Sequence, residues 1–288
     1  LGLSWRNRQR FIVQPADSTI TQEMLAGTHQ LTRLRLTGLD LEPDALAGKT
    51  QLQHLDLANC YILADMAGLS QLLSHLHCLH QMTHLSLDNN MYSIHVDDPP
   101  AAAFTALAAS SKLRHLAICG CTLPVDVWQH VFPIGRHLPY LTCLNISGLR
   151  DPDSQSLAAP ESSRLVSCCP GLQTLDITSL GLQYRAETLA TLSRLSGLHT
   201  LSLGANEDTP CEGLQAVCQL KGLRQLWVQH FHPMDEGLLL QLSQLKQLTL
   251  LDYYGPMEGA MEGARFMSTV SLNQDVASCS SNDGVLLF

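Results

Sequence analysis

Leu52-Gln53-His54-Leu55-Asp56-Leu57-Ala58-Asn59-Cys60 sets three leucines at L-x-x-L-x-L spacing and ends on Asn and Cys. In extended backbone, successive side chains point to opposite faces. Leu55 and Leu57 therefore share one face, and His54, Asp56 and Ala58 share the other. The spacing predicts a short strand, apolar on one side and polar on the other. A single run of this kind is common in any protein. Here it returns as Leu31-Leu34-Leu36, Met82-Leu85-Leu87, Leu113-Leu116-Ile118, Leu141-Leu144-Ile146 and Leu172-Leu175-Ile177. Three further copies are Leu198-Leu201-Leu203, Leu223-Leu226-Val228 and Leu248-Leu251-Tyr253. The nine starts are separated by 21, 30, 31, 28, 31, 26, 25 and 25 residues. Units of this length bury their apolar face only against copies of themselves, so the periodicity predicts a stacked solenoid.

Between the strands, amphipathic segments over 64–79, 184–195, 211–220 and 235–245 are expected to return as helices. Helices are wider than strands, so strands on one side and helices on the other bend the stack into a horseshoe with the strands on the concave face. Before the first clear unit, Phe11 and Val13 lie 23 residues ahead of Leu34 and Leu36, and 20–25 could form a short helix. Residues 1–30 are thus expected to be a cap or degenerate repeat, 31–255 the array of about nine repeats, and 256–288 a C-terminal cap with a flexible tail. Five residues after the middle leucine stands the turn position, filled by Cys60, Asn90, Cys121 and Asn206 but by Leu39, Leu149 and Leu180 elsewhere.

The run from Leu165 through Cys168, Cys169, Pro170 and Leu172 to Ile177 resembles the cysteine-containing leucine-rich repeat, as does 52–60. The longer spacings are similar to ribonuclease-inhibitor-like arrays. The resemblance covers about 31–255 and implies an α/β leucine-rich repeat solenoid that binds a ligand without chemistry of its own. Such repeats are frequent in F-box proteins, which implies the substrate-recognition part of an F-box-type ubiquitin ligase adaptor as one role. Nothing in residues 1–30 resembles an F-box. The sensing region of a larger signalling or immunity protein is another reading.

Composition narrows the partner. The formal charge is −9, with 17 basic against 26 acidic side chains, and the basic residues cluster only at Arg6, Arg8 and Arg10. Nucleic-acid binding rests on clustered Lys and Arg, so it is not expected. The ten cysteines show no metal-ligand pairing and no small secreted framework; reduced thiols in a cytoplasmic or nuclear protein are the expectation. No transmembrane stretch of about 20 apolar residues is present. A phosphate-cradling glycine loop, a G-x-S-x-G elbow and H-E-x-x-H are all missing, so neither an enzyme nor a cofactor is expected.

Alternation places three columns on the concave face. The first runs Arg33, His54, His84, His115, Cys143, Thr174, Thr200, Gln225, Leu250, and the second Arg35, Asp56, Ser86, Ala117, Asn145, Asp176, Ser202, Trp227, Asp252. The third begins at Thr37 and ends at Gln229 and Tyr254. Trp227, Tyr254, Asp252, Gln225, Gln229 and His230 gather two aromatics among polar groups, the composition of an interface anchor for a protein partner. A Trp packed under a C-terminal cap would look the same. His54, His84 and His115 fall on consecutive rungs; solvated side chains are the ordinary reading, and a pH-sensitive or metal-binding strip the special one. His75, His77, Cys78 and His80 are close in sequence, with no second ligand pair to complete a metal site. Asn145-Ile146-Ser147 fits the glycosylation sequon but lies inside an expected strand.

Overall fold

A computed structural model describes residues 10–11, 19–62, 66–89, 101–121, 123–124, 126–149, 159–178, 186–204, 211–229 and 236–254. Ten parallel strands form one sheet in chain order: Arg10–Phe11, Arg33–Thr37, His54–Ala58, His84–Ser86, His115–Ala117, Cys143–Asn145, Thr174–Ile177, Thr200–Gly204, Gln225–Gln229 and Leu250–Tyr254. The middle leucine of each repeat meets its counterpart. Leu34 pairs with Leu55, Leu55 with Leu85, Leu85 with Leu116, and Leu116 with Leu144. The register continues through Leu175, Leu201, Leu226 and Leu251. The protein is an α/β leucine-rich repeat solenoid.

The unit ahead of the first clear repeat joins the same sheet, with Phe11 opposite Leu34. The 23-residue offset therefore marks a true rung. Val13 lies outside the described residues.

Burial follows the pattern. The middle-leucine column from Leu34 to Leu251 is at most 2% exposed, and the flanking columns close around it. Each such side chain contributes about 1.5–3 kcal/mol by leaving water. One layer cannot exclude water from its own flanks, so that gain is realised only when the next coil is seated.

A backbone ladder at the strand entrances locks the coils. The Thr32 carbonyl accepts from the Gln53 and His54 N–H groups at 2.8 and 3.1 Å. The same double acceptance recurs at Gln53, Thr83, Arg114, Thr142, Gln173, His199 and Arg224. Three threonines reinforce it: the hydroxyls of Thr83, Thr142 and Thr249 donate to the carbonyls of Gln53, Arg114 and Arg224.

Two of the four turn positions filled by Cys or Asn can be followed. The Cys60 thiol donates to the Leu36 carbonyl of the previous coil (3.4 Å), and Cys121 to that of Leu87 (3.2 Å). Leu39 and Leu149 are buried at the same position and supply only packing. Asn90, Leu180 and Asn206 lie outside the described residues.

The helical side departs from expectation. α-Helices occupy Met66–His77, Ala186–Leu192 and Glu236–Leu242, but Cys211–Gln219 is a 3-10 helix. So are Pro43–Leu46 and Ala101–Ala108. In the shortest spacing, 21 residues, only the four-residue turn Pro43–Leu46 fits. The 30-residue spacing accommodates the twelve-residue helix Met66–His77. At Gly213 a Cβ would stand 3.0 Å from Leu189 Cδ1 and 3.3 Å from Ala186 Cα, so glycine sets how closely this segment nests on the preceding helix.

A second sheet of three two-residue strands, Thr19–Ile20, Asp40–Leu41 and Tyr61–Ile62, ties the first coils together beyond the main strands. Lys49 is buried there at 3% exposure, with Nζ donating to the Leu25 carbonyl at 2.6 Å. Burial holds its pKa below the ordinary lysine value.

Candidate functional site

Strand register places the concave columns as alternation requires. Arg33, His54, His84, His115, Cys143, Thr174, Thr200, Gln225 and Leu250 are successive pairing partners. With rungs about 4.8 Å apart, the residues named from sequence fall into two groups. His54, His84 and His115 lie toward the N-terminal end, and Gln225, Trp227, Gln229, Asp252 and Tyr254 at the other. His230 lies outside the described residues.

The three histidines are neither separate nor fully solvated. His54 and His84 stack with centroids 4.0 Å apart and planes 12° from parallel. His84 and His115 stack at 4.1 Å and 7°. Burial, then His115, His54 and Arg35, push the His84 pKa down to about 3. His115 is lowered as well, by burial and then His54, while Asp56 opposes the shift. His84 and His115 are therefore neutral at ordinary pH, a charge state that lets their rings lie face to face. Parallel rings aim their in-plane lone pairs side by side rather than at one point, and among the described residues no group of three His, Cys, Asp or Glu is placed to hold a metal ion.

Beside the stack, Arg35 Nε meets Asp56 Oδ2 at 2.9 Å, with the arginine side chain 68% exposed. Farther along, polar side chains bond within the face. Asp88 accepts from the Cys119 N–H (2.9 Å) and the Ser86 hydroxyl (3.0 Å). Asn145 Oδ1 accepts from the Ser147 N–H and hydroxyl, and Asp176 Oδ1 from the same two groups of Thr178. The Ser147 hydroxyl also reaches Cys119 Sγ at 3.2 Å. These pairs, Asn145 with Ser147 and Asp176 with Thr178, follow an i, i+2 pattern that strand alternation places on one side. Burial raises the Asp88 pKa, the strongest influence on it, and lifts the Cys143 thiol to about 11. A thiol so placed is a weak nucleophile.

At the other end, Trp227 is half-buried between Ser202 and Asp252 on neighbouring rungs. Gln225 Oε1 accepts from the Thr200 hydroxyl at 3.2 Å. Asp252 is half-buried, and that burial raises its pKa. Tyr254 is placed by its strand pairing opposite Gln229. The aromatic and polar members thus lie on adjacent rungs.

The sequence cluster on the helical side is dispersed. The helix ends at His77, so His80 lies beyond it, and the two rings meet edge-on at 6.4 Å. His75 instead contacts Asp44 at 2.8 Å, beside Gln71, which donates to the same carboxylate. The described cysteines carry thiols, most of them in the interior. No helix among the described residues is long and apolar enough to cross a membrane.

No protein-family model matches the sequence, and no curated protein matches it. Among solved structures, an internalin (inlF) from Listeria monocytogenes is similar at 15% identity and a TM-score of 0.37, covering 90% of each chain. The fold assignment rests on the strand register itself.

Proposed function

We propose that the chain is a non-enzymatic scaffold whose concave face binds a protein partner. The observation that carries this reading is the register: consecutive rungs hold three columns of outward side chains on one rigid parallel sheet. A surface of that length offers many shallow contacts, which suits a macromolecule better than a small molecule. Trp227 and Tyr254, with Gln225, Gln229 and Asp252, form the energetic centre, because a half-buried aromatic amid polar groups can be covered at little entropic cost. His230 belongs to this group by its place in sequence.

Trp227→Ala together with Tyr254→Ala should weaken capture of the partner by about tenfold or more. A photo-crosslinking residue at position 229 should label that partner, whereas one at Arg194, exposed on the helical side, should not. Labelling from 194 alone would place the interface on the wrong face and end the proposal.

A narrower reading is that this scaffold is the substrate-recognition part of a ubiquitin ligase adaptor, active in the cytoplasm or nucleus. Support comes from the Cys60 and Cys121 thiols, which bond the preceding coil as the cysteine-containing repeat would have them do. Reconstitution of the full-length protein with purified ligase scaffold components tests this, and no association would reject it.

A further inference from the structure

The edge of the sheet where the strands begin carries charge of one sign only. Four residues lead the chain into each strand: 29–32, 50–53, 80–83, 111–114, 139–142, 170–173, 196–199, 221–224 and 246–249. None of the 20 carboxylates between residues 29 and 254 falls in these nine segments. Five cations do, Lys112, Arg114, Lys221, Arg224 and Lys246, and all five are exposed. They are scattered in sequence, and the stacking gathers them on one rim. Successive N–H to carbonyl bonds of 2.7–2.9 Å join Arg114 to Thr142, Gln173, His199, Arg224 and Thr249 in turn. Arg114 and Arg224 therefore stand four coils apart, about 19 Å along the rim.

No carboxylate offsets this charge. The ion pairs among the described residues are Arg35 with Asp56 and His75 with Asp44, neither of them on the rim. Lys112 and Lys221 donate to neutral acceptors, Gln81 Oε1 and the Cys218 carbonyl. The second contact is the ordinary use of a lysine just past a helical segment. The side chains of Arg114, Arg224 and Lys246 bond to nothing among the described residues. The cations form two groups, Lys112 with Arg114, and Lys221 with Arg224 and Lys246. Between them, 139–142, 170–173 and 196–199 contain no Lys, Arg, Asp or Glu. The position of Lys112 is taken in the next coil by Tyr140, 57% exposed, and then by Gly171, Gly197 and Gly222. Three consecutive coils without a side chain there leave a shallow saddle between the basic groups. At Gly171 the absence is required, because a Cβ would stand 2.8 Å from the Pro139 carbonyl oxygen.

We propose that this rim docks an extended protein segment with acidic residues at both ends and apolar residues between them. The inference goes beyond the concave-face reading, because the rim residues belong to none of the three columns. Charge complementarity is the first argument. On a chain of formal charge −9, five exposed cations with no carboxylate among them make this edge the place where an acidic segment meets attraction. Spacing is the second. Six residues of extended chain cover about 20 Å, so carboxylates at i and i+6 reach Arg114 and Arg224 together. The residues between them cross the glycine saddle, where a backbone can approach closely, and an apolar side chain there packs on Tyr140. A nucleic acid would lay its evenly spaced phosphates over the uncharged middle as well, and the two-group pattern favours a protein segment.

The test uses the full chain and a fluorescein-labelled peptide with two glutamates at each end and five alanines and leucines between, read by fluorescence anisotropy. It is compared with its glutamine counterpart, an isomer whose four glutamates are contiguous, an oligonucleotide of equal charge and phosphatidylserine vesicles. The split-glutamate peptide should bind about tenfold tighter than the glutamine one and severalfold tighter than the isomer, with the preference shrinking as salt rises. Arg114→Glu combined with Arg224→Glu should remove most of that preference. Arg194→Glu, exposed two residues before its segment of the rim, should leave affinity within about twofold. If the double variant fails to fold, each single reversal should still remove part of the preference, since both side chains are exposed. Equal affinity for the glutamate and glutamine peptides, no advantage over the contiguous isomer, an equal loss from Arg194→Glu, or tighter binding of the oligonucleotide or vesicles would overturn the proposal. The two readings fail separately. Lost peptide selectivity with intact crosslinking from position 229 sinks only the rim docking, whereas labelling from Arg194 alone sinks the concave-face scaffold.

Discussion

An imidazole held between two others can accept a proton only by placing a charge in a half-buried site beside further nitrogen rings. His84 is that ring, and its pKa falls to about 3 from an ordinary value near 6.5. The consequence for folding follows by linkage. In the unfolded chain His84 takes up its proton as pH drops below about 6.5, while in the folded chain it stays neutral until about pH 3. Protons therefore favour the unfolded state across that window, and stability present above pH 6.5 is lost as pH falls through it. Because the ring is only half-buried, solvent screening holds the loss to about 1–2 kcal/mol. Asp88 and Asp252 act in the opposite sense, since their raised pKa values mean that protonation relieves a cost of burial. Comparison with His84→Phe separates the two effects. The urea midpoint of this variant should decline less than that of the wild type between about pH 7 and about pH 4. Parallel declines would show that His84 is not protected from protonation by the stack.

Elements connecting the rungs show a different balance of forces. Cys211–Gln219 runs as a 3-10 helix with Gly213 against Ala186 and Leu189, where an added Cβ meets a side-chain carbon at 3.0 Å and a backbone carbon at 3.3 Å. Gly213→Ala should cost about 1–3 kcal/mol through overpacking, although alanine ordinarily favours helix, and thermal unfolding would measure it. A stabilised variant would mean that the two segments can separate without penalty. Periodicity made the strands and their partners legible, because each leucine column is a direct record of burial. It could not choose between α- and 3-10 windings of the return segments, since both bury residues at spacings of three and four. Nor could it reveal the strands Thr19–Ile20, Asp40–Leu41 and Tyr61–Ile62, as two residues are too few to alternate visibly. The concave residues were legible as positions. Their mutual bonds, such as Asp176 to Thr178 and the stacking of His54, His84 and His115, arise from pairing between rungs and from ring packing that column order alone does not specify.

For the molecule as a whole, cohesion passes only between neighbouring coils, so a local weakness should divide the array rather than destabilise it evenly. Leu144 tests this. It is fully buried at the sixth of the ten rungs, between Leu116 and Leu175, and contributes to the interfaces on both sides. Leu144→Ala removes packing worth about 2–5 kcal/mol from those two interfaces at once. On one side five rungs remain and on the other four, each group longer than the three repeats a solenoid needs to persist. Urea unfolding of the variant should therefore spread into two steps or one shallower transition, with hydrogen-exchange protection falling first at the rungs of Leu116, Leu144 and Leu175. Leu34→Ala, near the N-terminal end, should instead lower the midpoint of a transition that keeps its slope, because the coils beyond it still support one another. If Leu144→Ala also unfolded in one step with the wild-type slope, coupling would have to extend well past adjacent coils, and nearest-neighbour stacking could not be what holds this solenoid together.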